Sequence, residues 1–120
     1  MTAEPGEGAA RKLINDKAPF VHTVLFRLPP GTDPEKTDGL IDDIRTQLGP
    51  LPTIEGLWAG RPASTKTPER PIVDDDYDVG LMVLFKDEKA LNDYLNHPTH
   101  AAFARKWDAL CTVRVFDFVK

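Results

Sequence analysis

The sequence contains a single cysteine, Cys111, and no apolar run long enough to cross a bilayer. One cysteine cannot form an internal disulfide, so nothing in the chain requires an oxidising compartment. The longest unbroken apolar run lies within residues 80–85, whereas a membrane-spanning helix needs ~20 apolar residues. The first residues also lack the basic and apolar segments of a signal peptide. We therefore expect a cytoplasmic protein with no membrane partner.

Basic charge and nucleotide-binding motifs are scarce as well. Lysine and arginine number 15 against 19 aspartates and glutamates, which leaves a net charge of −4. This balance argues against nucleic acid as a partner, because such binders need a basic face to neutralise phosphates. The chain has no Gly-x-Gly-x-x-Gly, P-loop or Gly-x-Ser-x-Gly motif. Nucleotide-binding and serine-hydrolase functions therefore have no support, and we expect no cofactor.

What remains is the composition of an ordinary soluble domain. The chain has 120 residues, of which 41% are hydrophobic and 28% charged, and this length fits one hydrophobic core. Residues 1–18 are small, charged and poor in apolar side chains, which predicts a flexible N-terminal tail. From residue 19 the character changes, so residues 19–120 are predicted to form the folded domain.

Hydrophobic periodicity along residues 19–120 predicts alternating strands and helices. A helix is expected to begin at Pro34 and to close at Gly49, and a later helix is expected to break at Pro98. The strands are predicted at residues 20–28, 54–60, 77–85 and 111–119, with a loop at 61–76 that carries three prolines and three consecutive aspartates. The order β-α-β-β-α-β predicts a ferredoxin-like α+β fold, an antiparallel sheet with its helices on one face.

The predicted central strand at residues 77–85 is apolar at both its odd and its even positions. Helices on one side of the sheet would leave the other apolar side open to water, which soluble monomers rarely tolerate. We therefore expect a homodimer in which two sheets meet face to face and form a dimeric α+β barrel.

Several segments together resemble a known family, the stress-responsive A/B barrel domain. The resemblance is carried by residues 21–26 around His22, by 51–60, 77–85, 91–100 and 113–118, and it covers about residues 20–119. Its most specific part is the pattern Tyr-x-x-His-Pro-x-His, which runs from Tyr94 to His100. The resemblance implies a dimer of ferredoxin-like subunits, each with a pocket between its sheet and its helices.

The family includes plant olivetolic acid cyclase-type polyketide cyclases, which close a ring by intramolecular aldol condensation. In these enzymes the tyrosine and the last histidine of the motif act together, and these correspond here to Tyr94 and His100. His22 also matches, whereas Val79 replaces a pocket histidine and Ile44 or a close neighbour replaces a pocket tyrosine. The resemblance therefore does not carry over that enzyme's substrate or reaction.

The candidate catalytic residues are His100, as a base, and Tyr94, whose hydroxyl could donate to an oxyanion as a carbonyl enolises. The alternative is structural, with Tyr94 in the core and His100 capping the helix that follows Pro98. A metal site at Asp93, His97 and His100 is disfavoured, because the proline interrupts their helix and three ligands from one short segment are a weak signal.

The candidate substrate-binding residues are His22, His97, Val79 and Trp58. His22 could instead be a hydrogen-bonded histidine beneath the helices, His97 could orient the turn at Pro98, and Trp58 could belong to the core or to the dimer surface.

Three functions remain open from the sequence. The first is a dimeric pocket protein of this family that binds an apolar or aromatic small molecule. The second is a cofactor-independent cyclase, lyase or isomerase that uses the Tyr94 and His100 pair for proton transfer next to a carbonyl. The third is a structural or stress-protective oligomer without ligand chemistry.

Overall fold

The structure, a computed structural model, describes residues 19–63 and 67–120, so the expected tail at residues 1–18 lies outside the described part. The elements follow one another as β1 (Phe20–Arg27), α1 (Pro34–Asp43), β2 (Ile54–Gly60), β3 (Val79–Phe85), α2 (Glu88–Asn96), α3 (Pro98–Asp108) and β4 (Thr112–Val119). A π-helical turn at Ile44–Leu48 extends α1. The predicted order, including the break in the second helix at Pro98, is confirmed.

The four strands form one sheet in the order β2-β3-β1-β4, and every neighbouring pair is antiparallel. This is the ferredoxin-like α+β arrangement that the sequence predicts. β1 lies in the interior of the sheet, and His22 at its third position is paired with Val83 of β3 on one side and Asp117 of β4 on the other. The register therefore puts these three side chains on the same face of the sheet.

Side-chain caps define where two of the helices begin. Asp33 accepts a hydrogen bond from the backbone N–H of Glu35 at 3.0 Å, and Pro34 occupies the first position of α1. Asp87 likewise accepts from the backbone N–H of Ala90 at 2.8 Å and starts α2. The core lies between the helices and one face of the sheet, and its fully buried side chains include Leu40, Ile44, Leu48, Val79, Val83, Phe85, Tyr94 and Trp107.

β1 and β3 are each shorter than predicted, at the end of the pair where β1 stops and β3 begins. The Asp78 carboxylate accepts the backbone N–H of Leu28 at 2.7 Å, so a side chain replaces the next backbone hydrogen bond of the ladder. As a result β1 ends at Arg27 and β3 begins at Val79, whereas the pattern of apolar residues continues to Leu28 and back to Tyr77. β4 begins at residue 112, one position later than predicted.

The side of the sheet that faces away from the helices is apolar and uncovered in the single chain. We call it the open face; on it Trp58, Phe116 and Phe118 are 58%, 50% and 57% exposed. The strand register aligns its members across the sheet: Val21, Thr23, Leu25, Trp58, Met82, Leu84, Phe116 and Phe118. The expectation that the sheet is apolar on both faces is therefore met. Among the described residues, no helix is long and apolar enough to span a membrane.

Candidate functional site

A partly open cavity of about 140 Å³ lies between the helix-facing side of β1 and β4 and the helices α2 and α3. We call it the cleft. Its mouth lies near Leu95, Asp108 and Val115, which are exposed to solvent. The complete lining is His22, Val24, Phe26, Leu48, Leu81, Tyr94, Leu95, His100, Phe103, Ala104, Asp108, Val113 and Val115. The walls are thus apolar, with a few polar groups from separate elements.

The break between α2 and α3 brings two of these polar groups together. α2 ends after Asn96 because Pro98 cannot continue it, and the N–H of His97 then donates to the carbonyl of Tyr94 at 3.2 Å. The chain turns there and starts α3, whose first turn carries His100. The ring centroids of Tyr94 and His100 consequently lie 4.6 Å apart, and the two residues that the motif predicts as a pair are neighbours in space.

His22 joins the same group from the sheet. Its ring centroid lies 6.2 Å from that of Tyr94, and its Nδ1 donates to Oδ1 of Asp117 at 2.6 Å. A carboxylate only accepts hydrogen bonds, so Nδ1 carries the ring proton. Nε2 has no hydrogen-bond partner among residues 19–63 and 67–120, and in the neutral ring it is an acceptor.

Asp117 is the member of this site that the sequence analysis missed. It is the only acidic residue of β4, and the other residues on the helix-facing side of this strand are apolar. That isolated charge was the available signal. It becomes informative only with the register, which pairs Asp117 directly with the buried His22.

The hydroxyl of Tyr94 is buried, and no described residue forms a hydrogen bond with it. The residue is 1% exposed. Burial raises the pKa of Tyr94 well above the usual value of a phenol, so the group remains a neutral O–H donor. A buried and unsatisfied hydroxyl costs about 1–3 kcal/mol, so such groups are uncommon unless something else binds them.

His100 is held in its neutral form. Burial lowers the pKa of its imidazole, and the neighbouring His22 lowers it further, while Asp108 opposes both effects. Its ring nitrogens have no hydrogen-bond partner in the described ranges. A neutral imidazole beside a neutral phenol gives the cleft one proton acceptor and one proton donor at neutral pH.

The other predicted binding residues lie outside the cleft. His97 caps α3, because its Nδ1 accepts the backbone N–H of Thr99 at 3.1 Å. Val79 is fully buried in the core on β3, and its place in the strand puts it beyond the residues that line the cavity. Trp58 lies on the open face, on the opposite side of the sheet.

No metal site competes with the cleft in the part of the chain that is described, and four hollows of larger volume, about 270–610 Å³, are more open to solvent than the cleft. No group of three potential ligands there could hold a metal ion, and Asp93 is paired with Lys89 at 2.9 Å. A polar hollow of about 270 Å³ lies beside the β1–α1 loop, but its charged groups bind one another, as Arg27 does Asp76 at 2.9 Å. We therefore take the cleft as the candidate functional site.

This fold and this cleft can be compared with known proteins. The model of the Stress Responsive A/B Barrel Domain matches residues 20–120. The chain belongs to this family. This match confirms the resemblance that the motif predicts, and it covers residues 20–120 of the predicted domain at 19–120. No curated protein matches the sequence.

Solved structures of the same fold span bacteria and plants. A Dabb family protein with a ferredoxin-like fold from Mesorhizobium loti is 25% identical, with a TM-score of 0.69 over 86% of this chain and 97% of that one. A dimeric ferredoxin-like protein of unknown function from Thermobifida fusca is 16% identical, with a TM-score of 0.71 over 90% and 96%. Hydroxynitrile lyase from Passiflora edulis is 15% identical, with a TM-score of 0.72 over 87% and 94%. The last two likenesses are of fold alone.

Proposed function

We propose that the cleft binds a small neutral molecule with an apolar body and a carbonyl or hydroxyl group. The observation that carries this proposal is the Tyr94 hydroxyl, which is buried at the cavity and has no partner among the described residues. A ligand oxygen that accepts from this hydroxyl would remove the cost of leaving it unsatisfied. His100 and Nε2 of His22 provide further polar contacts beside it.

The size and charge of the cleft support a compact, uncharged ligand. A dry apolar cavity of about 150 Å³ accommodates benzene, and the cleft has about 140 Å³. The aromatic and aliphatic walls, including Phe26, Leu81 and Phe103, suit one ring or a short branched chain. Asp108 at the lining and Asp117 behind His22 place two carboxylates near the cleft, which disfavours an anionic ligand.

Catalysis of proton transfer is the second candidate, favoured by the short hydrogen bond between His22 and Asp117. In this scheme neutral His100 removes a proton from the carbon next to a ligand carbonyl. The Tyr94 hydroxyl donates a hydrogen bond to the enolate oxygen that forms. The protonated His100 then returns the proton to the product, while His22, oriented by Asp117, presents Nε2 as a hydrogen-bond acceptor beside it. Such chemistry would make the protein a cyclase, lyase or isomerase that relies on its own side chains.

We infer further that two copies associate through the open face. Trp58 and Phe116 lie at the two ends of one cross-sheet row, with Met82 and Thr23 between them, and are half exposed or more, so burying them is favourable. Light scattering after size exclusion should give twice the chain mass at micromolar concentration. The variant Phe116→Asp should give a monomer, whereas Leu110→Asp, an exposed residue outside the open face, should remain dimeric. A monomeric wild type would contradict this inference.

The binding proposal can be tested with matched probes on the full chain. Acetophenone offers a ring and a carbonyl, and benzoate offers the same ring with a negative charge. Backbone and side-chain NMR signals of Tyr94, His100 and His22 should shift with acetophenone and shift much less with benzoate. Native mass spectrometry of freshly purified protein would reveal a ligand that is already bound. Shifts confined to other residues would contradict the proposal.

The catalytic candidate has a separate test with the same probe. In heavy water, proton abstraction replaces the methyl hydrogens of acetophenone with deuterium, and each deuteron comes from the solvent through the base. Wild-type protein should accelerate this exchange, and His100→Gln should abolish the acceleration while leaving measurable binding. Binding without exchange would support the pocket protein and reject enolisation, whereas loss of both with Tyr94→Phe would assign the hydroxyl to binding.

A further inference from the structure

We propose that His97 is a positioning residue whose neutral imidazole caps α3 and thereby holds His100 against Tyr94. The proposal rests on the proposed function of the cleft, because it explains how two of its polar groups are kept in contact. The sequence predicts His97 as a binding residue, but its side chain lies outside the cavity and binds the backbone instead.

His97 connects the two helices through three hydrogen bonds. Its backbone N–H donates to the carbonyl of Tyr94 at 3.2 Å, which closes the end of α2. Its carbonyl accepts the N–H of Ala101 at 3.0 Å, the first hydrogen bond of α3. Its ring Nδ1 accepts the N–H of Thr99 at 3.1 Å. One residue thus sets the angle at which α3 leaves α2.

The cap matters because His100 sits in the turn that it stabilises. His97 is the N-cap of α3, Pro98 follows at the first position and lacks an N–H, and Thr99 is therefore the first residue whose N–H needs a partner. His100 is the next residue. When the cap is lost the first turn of the helix frays, and His100 moves away from the ring of Tyr94, whose centroid lies 4.6 Å from its own.

An imidazole can act as this cap only while Nδ1 is unprotonated. The protonated ring donates from both nitrogens and accepts at neither, and its positive charge is also unfavourable at the N-terminus of a helix. Two titratable groups lie about one helical turn away along the chain: Asp93, which is held by Lys89, and His100. In the described ranges His97 itself forms no ion pair and no ring contact.

The test compares wild type with His97→Asn and His97→Ala. Asparagine is a good N-cap that does not titrate, whereas alanine cannot accept a hydrogen bond. The readout is the NMR signal of the His100 ring, which the nearby Tyr94 ring displaces through its ring current. At pH 8 wild type and His97→Asn should show the same displaced signal, and in His97→Ala the displacement should be lost.

Two results would overturn the proposal. One is a displaced His100 signal in His97→Ala at pH 8, and the other is a failure of His97→Asn to restore it. Unchanged signals of β1 and β3 in both variants would show that the fold is intact. The readout uses no ligand, so it is independent of the proposed function: an intact cap response together with no acetophenone binding in wild type would reject the binding proposal alone.

Discussion

Asp117 accepts a hydrogen bond from Nδ1 of His22 at 2.6 Å, across the register that pairs β1 with β4. The histidine is 6% exposed at the cleft, whereas the side chain of Asp117 is 38% exposed at the edge of the sheet. A carboxylate in contact with solvent therefore determines which nitrogen of a buried imidazole carries the proton. Nε2 is left as the acceptor, which is the state a proton-transfer site needs.

Replacing Asp117 should change the proton position on His22. In wild type at pH 8, nitrogen NMR should show the proton on Nδ1. Asp117→Asn retains an amide oxygen that can accept the hydrogen bond and should keep this tautomer, whereas Asp117→Ala should lose the preference. Identical tautomer populations in wild type and the alanine variant would contradict the role we assign to the carboxylate. The loss of stability should be small, about 1 kcal/mol, because the carboxylate is partly solvated.

Tyr94→Phe should not destabilise the protein, although the residue is fully buried. The hydroxyl has no partner among the described residues, so its removal should stabilise the fold by up to about 1 kcal/mol in urea denaturation. Affinity for acetophenone should fall about tenfold with the loss of one hydrogen bond. Tyr77→Phe, at the other tyrosine of the chain, should leave the affinity unchanged. A destabilisation above about 1 kcal/mol would mean that the hydroxyl has a partner after all.

His100 should make the protein less stable in mild acid. Burial lowers the pKa of its imidazole in the folded state, so below about pH 6.5 the unfolded chain binds a proton that the folded chain does not. The free energy of unfolding should therefore fall as pH decreases below that value, by at most about 1.4 kcal/mol per pH unit for this group. His100→Gln should show a shallower decline, with parallel behaviour above pH 8. A difference between the two proteins that does not vary with pH would refute this assignment.

Two glycines of the first helical segment should respond oppositely to alanine. At Gly49, which ends the π-helical turn, an added Cβ would lie 2.5 Å from the carbonyl oxygen of Arg45. Gly49→Ala should therefore destabilise by about 1–3 kcal/mol, as overpacking does. At Gly39, within α1, the Cβ would meet only a ring atom of Trp107 at 3.9 Å. Gly39→Ala should stabilise by about 0.5–1 kcal/mol because alanine favours the helix, and a thermal melt of both variants reports the sign.

Most of the secondary structure was predictable, since its signals are local. Pro34 marks the start of a helix, Pro98 forces a break, and apolar alternation marks the strands. The predictions failed where a distant group intervened. Asp78 replaces a backbone partner of Leu28, whereas the helix predicted to close at Gly49 does end there, with its last turn at Ile44–Leu48 in the π form.

The candidate site was likewise predictable where its signal is local and unpredictable where it depends on residues distant in the chain. The motif predicted that Tyr94 and His100 act as a pair, and their rings are neighbours, while their role in binding or catalysis stays a prediction. Asp117 was not predicted, because it lies 95 positions from His22 and only the register connects the two. His97 was predicted to bind substrate, yet its ring binds a backbone N–H.

The sequence by itself determined the fold class and the two-faced apolar sheet, because periodicity, capping residues and prolines act over a few neighbouring positions, and its motif from Tyr94 to His100 carried the resemblance to the family. Only the tertiary structure decided which polar groups share the cleft and in which state they are held there. Burial keeps His100 neutral and Tyr94 protonated, and strand pairing brings Asp117 to His22. These properties depend on what surrounds each group in space, and distance along the chain does not encode them.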